Sequence, residues 1–66
     1  MLFEDFLKFA KLTHKNHHNW RYGQSFFNAL CEVRPDLAEQ IRGTALDPFH
    51  KSSVLATTIN FLTKNW

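Results

Sequence analysis

The sequence predicts an all-α fold: a compact bundle of four short helices in a single domain over residues 1–66, with the central helix at about 20–33. Three observations carry this. Apolar residues recur at spacings of three and four, not two, along each long segment. Pro35 and Pro48 each stand beside an aspartate in a pattern that opens a helix. No repeat, low-complexity tract or interdomain linker breaks the chain.

The first helix is expected from about Leu2 to His14. Leu2, Phe3, Phe6, Leu7, Phe9, Ala10 and Leu12 span more than half of its wheel. A helix buried on one side needs a stripe of only ~100°. So broad an arc predicts burial on two sides, against the rest of the chain or against a second copy. Lys8, Lys11 and Lys15 line the remaining face. Glu4 precedes Lys8 by four residues, in the favourable order for an ion pair. The polar stretch Lys15–Asn19 reads as a connection, with Asn19 as the N-cap of the next helix.

The central helix, about Trp20 to Val33, sorts into two faces. Trp20, Tyr22, Phe26, Phe27, Ala29, Leu30, Cys31 and Val33 form the apolar side. Arg21, Gln24, Ser25, Asn28 and Glu32 form the other. Gly23 sits among the large rings and weakens a helix by ~1 kcal/mol relative to alanine. Its presence there predicts that another backbone passes close by.

Pro35 holds Arg34 out of helical geometry and suits the first position of a third helix. Asp36 falls in its first turn, where the helix dipole favours a carboxylate. Leu37, Ala38 and Ile41 give its apolar side, and Gly43 its left-handed terminator. Eight or so residues do not stay helical alone, so this helix must dock on the one before it. Asp47-Pro48 predicts a helical turn over Asp47–Lys51, anchored by Phe49. Ser52 or Ser53 then caps a fourth helix running towards Trp66. Its apolar side is Val54, Leu55, Ile59, Phe61, Leu62 and Trp66. The Val-Thr-Thr-Ile content also suits a strand, but the spacing favours a helix.

Composition narrows the function. A chain of this length buries only ~60% of its unfolded surface, so the monomer is expected to be marginal. Cys31 is the single cysteine, which rules out an intrachain disulfide and fits a reducing cytoplasm. Glu4 and Asp5 stand where a signal peptide would be basic. No apolar run approaches the ~18 residues of a membrane span. The formal charge of +2 permits contact with nucleic acid without arguing for it. Seven Phe, two Trp and one Tyr are a heavy aromatic load for 66 residues. Phe3, Phe9, Trp20, Phe49 and Trp66 exceed what so small an interior holds comfortably. That surplus, with the wide arc of the first helix, leads us to expect a homodimer.

The run RYGQSFFNALCEVRPDLAEQIRG, followed by GTALDPFH and the closing Asn65-Trp66, resembles a pattern of small uncharacterised phage and prophage proteins. The likeness covers about two thirds of the chain and omits the first helix and the His-rich connection. It implies a genomic setting more than a mechanism. Small proteins of that setting commonly bind and redirect a host component, and their place is the host cytoplasm.

Four groups are candidates for chemistry. His14, His17 and His18 are the most metal-like, but no Cys or acidic residue is placed to complete four ligands, so no metal or other cofactor is expected. Cys31 falls on an apolar face, where a thiol is inert packing and not a nucleophile. The second and third helices suggest a helix-turn-helix, but Asp36 and Glu39 suit a base-reading helix poorly. Arg21, Gln24 and Asn28 make a polar row whose members hydrogen-bond in more than one direction, either solvated or tying down nearby connections. With Arg34, Trp20 and Phe49 they are the binding residues expected here. The reading is therefore a non-enzymatic binding protein that engages a host defence or regulatory factor. One alternative is a DNA-binding regulator using Lys8, Lys11 and Lys15. Another is a protein that sequesters a nucleotide signal between Arg21, Arg34 and aromatic rings, within one chain or across a dimer.

Overall fold

A computed structural model describes residues 1–66. It has four α-helices and no strand: α1 Phe3–Asn16, α2 Tyr22–Val33, α3 Pro35–Ile41 and α4 Leu55–Asn65, with a 3-10 turn at Ser52–Val54 leading into α4. The all-α bundle expected from the apolar spacing is the fold observed. α2 is its centre, packing against α1, α3 and the 3-10 turn.

The core follows from the apolar faces. Phe6 and Ala10 of α1 meet Phe26, Phe27, Ala29 and Leu30 of α2, while Leu37, Ala38 and Ile41 dock α3 and Leu62 brings in α4. Phe6 meets Phe26 edge-on, with ring centroids 5.1 Å apart, the geometry that aromatic quadrupoles favour. Burying each such ring contributes ~1.5–3 kcal/mol.

The wide arc of α1 is covered in part within the chain, with Phe6 and Ala10 buried. α2 takes one side. The other is taken by Trp66, whose ring lies 5.0 Å from Phe6 and 5.2 Å from Phe3. Trp66 Nε1 donates to the Met1 carbonyl at 2.8 Å, and Arg34 Nη1 donates to the main-chain oxygen of Trp66 at 2.8 Å. One side chain thus fastens the start of α1 to the end of α4. Met1, Leu2 and Leu12 stay exposed.

Gly23 has the close neighbour its position predicts. A Cβ there would overlap the Pro48 carbonyl oxygen and lie 2.9 Å from Ser52 Oγ. Gly43 ends α3 in the left-handed region, at φ 73°.

Several local expectations are corrected. α1 runs two residues further than His14, to Asn16, because His17 N–H still finds the carbonyls of Thr13 and His14. α2 begins at Tyr22, so Trp20 and Arg21 precede it and Asn19 does not cap it. The chain turns at His17–Trp20 instead, closed by a 2.9 Å bond from Trp20 N–H to the His17 carbonyl. The free amide of Gly23 in the first turn of α2 is taken by Ser52 Oγ at 2.9 Å. That hydroxyl caps α2 from a distance rather than α4. Asp47–Lys51 is not helical. Asp47 uses both carboxylate oxygens on backbone amides, of Phe49 at 3.0 Å and Gly43 at 2.8 Å, which folds the connection back on itself. Glu4 and Lys8 form no ion pair; the two pairs present are Arg34–Asp36 and Arg42–Glu39. Ser25 is fully buried rather than outward-facing, and Thr58 is fully buried as well. Ser25 Oγ lies 3.3 Å from His14 Nδ1, and Thr58 Oγ1 donates to the Leu46 carbonyl at 2.6 Å, so neither hydroxyl is orphaned.

Candidate functional site

One member of the polar row of α2, Asn28, lies between two shallow grooves. It is half-buried at mid-helix and borders both. The first groove, of ≈ 400 Å³, lies between α1 and α2 and is lined by Phe9, Thr13, Asn16, His17, Trp20, Asn28 and Glu32. The second, of ≈ 410 Å³, lies between α2 and the connection after α3. Its walls include Phe27, Cys31, Arg42, Asp47, Phe49 and His50. Each volume is at the lower end of the ~300–1,000 Å³ typical of ligand pockets. Arg21 donates to the His50 carbonyl at 3.0 Å, whereas the Gln24 and Asn28 side chains take no part in hydrogen bonds within the chain.

Aromatic rings give each groove a defined wall. Trp20 is stacked on His17, with centroids 3.9 Å apart and planes 10° from parallel. This stack exists because Trp20 sits in the turn and not in α2. Phe49 meets Phe27 edge-on at 6.1 Å and His50 at 4.7 Å. Arg42 lies over the Phe27 ring at 5.2 Å, and its Nη2 approaches Cys31 Sγ at 3.9 Å. Its guanidinium is held charged chiefly by the hydrogen bond to Glu39. Cys31 is half-buried at this wall.

Of the six residues expected to bind, Trp20, Asn28 and Phe49 line these grooves. Gln24 is on the same row, one turn before Asn28, and Arg21 is tied to His50 at its start. Arg34 is elsewhere. It forms a two-pronged contact with Asp36, at 3.1 and 2.9 Å, and lies over the Trp66 ring at 5.1 Å. The hydrogen bond from Arg34 holds the Asp36 carboxyl below its ordinary pKa, and the same bond raises that of Arg34. Arg21 and Arg34 flank the ends of the 12-residue α2, which is about 18 Å long.

The remaining candidates are dispersed. Lys8, Lys11 and Lys15 are exposed along α1. Asp36 and Glu39 on the outer side of α3 are each bound to an arginine. His14 packs edge-on against Tyr22 at 5.2 Å, His17 is in the Trp20 stack, and His18 is exposed. No group of three His, Cys, Asp or Glu side chains converges as metal ligands. No helix is long and apolar enough to cross a membrane.

Sequence reasoning missed Phe9, Thr13, Asn16, His17 and Glu32 as groove residues. The usable signal was the spacing Phe9, Thr13, Asn16, which puts all three on one face of α1. Comparison with protein-family models, with curated proteins and with solved structures finds no match.

Proposed function

We propose that this chain is a small non-enzymatic binding protein that engages a protein partner through the paired grooves at Asn28. The observation that carries this is the joining of two aromatic-walled grooves at a polar side chain with no partner inside the chain. Binding hot spots combine large rings with hydrogen-bonding groups in this way, and Trp is among the residues most enriched there. The resemblance of the sequence to phage and prophage proteins supports a host defence or regulatory factor as the partner, met in the host cytoplasm. Binding would act sterically: the rings of Trp20 and Phe49 supply contact area, and Gln24 and Asn28 supply specificity. The experiment is capture of partners by tagged protein from nuclease-treated bacterial lysate, in parallel with Asn28→Arg and Trp20→Ala variants. A stoichiometric protein lost with both variants fits the proposal. Equal capture by all three contradicts it.

The exposed lysine row of α1 favours a second reading, a DNA-binding regulator. Phosphate contacts make affinity fall steeply with salt. Three such contacts would give a slope of log affinity against log salt near −3, estimated at roughly 0.9 per phosphate. Replacement of Lys8, Lys11 and Lys15 would abolish it.

A further inference from the structure

The first groove has a charge character. Glu32 is its one acidic side chain, set among the rings of Phe9 and Trp20 and the amides of Asn16 and Asn28. The two ion pairs of the chain leave Glu32 without a cationic partner. Lys8, Lys11 and Lys15 are on α1, but their spacing puts them on a different face from Phe9, Thr13 and Asn16. Thr13 donates its hydroxyl proton to the Phe9 carbonyl at 2.9 Å, so only its oxygen lone pairs remain to offer a ligand. The groove therefore presents a carboxylate, amides that accept as well as donate, and π-faces. Its indole wall is braced by the parallel His17 ring.

We propose that this groove takes an arginine side chain presented by the protein partner. A guanidinium is planar, stacks on an indole or phenyl face, and carries five N–H donors. Glu32 accepts two of them, and the amide oxygens of Asn16 and Asn28 accept others. An ammonium offers no plane to lie on the rings, and an anion meets the Glu32 carboxylate with repulsion. The second groove lacks this complementarity, because Asp47 is taken up by backbone amides and Arg42 is itself cationic. The inference rests on the reading of the Asn28 surface as a recognition site and names the chemistry of its ligand.

The test is an amide-resolved NMR titration of the full chain with Nα-acetyl-arginine methylamide. Nα-acetyl-citrulline methylamide is the uncharged control of the same shape. The expected result is a saturable shift of the Trp20 indole and the Asn28 side-chain amide, weakened about tenfold by the citrulline probe and by Glu32→Gln, as loss of a charge-assisted hydrogen bond requires. Glu32 is exposed, so Glu32→Gln keeps the fold. Equal response to both probes, indifference to Glu32→Gln, or no shift at the groove overturns the proposal. If partner capture still depends on Asn28 while the arginine probe fails, the arginine assignment falls and the recognition surface stands. Capture indifferent to Asn28→Arg and Trp20→Ala overturns both.

Discussion

The backbone amide of Gly23 donates to the hydroxyl of Ser52 across 29 positions of sequence, at 2.9 Å. The pair locks the first turn of α2 to the 3-10 turn before α4, and it lets the Pro48 carbonyl lie where a side chain would otherwise be. Gly23→Ala is predicted to destabilise the chain by about 3 kcal/mol, since the obstacle is backbone and cannot rotate away. Ser52→Ala, which removes only the acceptor, is predicted to cost about 1 kcal/mol. Urea unfolding of both variants checks the order.

Trp66 joins three elements, so its loss should be felt at both termini. Trp66→Ala is predicted to cost about 2–3 kcal/mol, below the range for a fully buried ring because Trp66 is only half-buried. Hydrogen exchange should quicken at the start of α1 as well as in α4. Arg34→Ala should lower the melting temperature less, and the two effects should fall short of additive, because the residues share a hydrogen bond and a ring contact. Additivity would mean that the contact carries no energy.

Asp36 titrates below its ordinary value in the folded chain because Arg34 donates to it. A depressed carboxyl pKa contributes stability above the unfolded value of about 3.9, and this is lost as pH falls through the folded value. Asp36→Asn should therefore unfold at a lower temperature than the parent at neutral pH, with the gap closing under acid. Melting curves from neutral pH to below 3 follow it.

Tyr22 behaves in the opposite sense. Burial between α1 and α2 raises the pKa of its phenol above 10.0. The proton is held more tightly in the folded chain, so stability is complete below the unfolded pKa and declines as pH rises through the folded one. Tyr22→Phe should flatten that alkaline decline, as melting curves above pH 9 would record.

Much of the bundle was legible because its signals are local. Pro35 and Gly43 bound α3 by their own backbone preferences, and Gly23 among rings announced a close approach. What was illegible depended on partners distant in sequence. Ser25 and Thr58 look like surface residues until His14 and the Leu46 carbonyl satisfy their hydroxyls. Asn19 has the chemistry of an N-cap, but Ser52 supplies that bond. Arg34 read as a recognition residue because its acceptors are Asp36, in the next helix, and the far end of the chain. The surface at Asn28 was half legible. The α2 row shows in helical spacing, whereas the walls from α1 and the 42–50 connection exist only after folding.

The most direct test of the recognition surface is site-specific photo-crosslinking in bacterial cells, with benzoylphenylalanine at Asn28, Trp20 or Phe49, and at Glu4 or Lys64 as remote controls. A single shared crosslinked protein from the three groove positions, absent from the controls, is the predicted result. Crosslinks appearing equally from Glu4 and Lys64, or from those positions alone, would contradict it and place the contact surface elsewhere on the bundle.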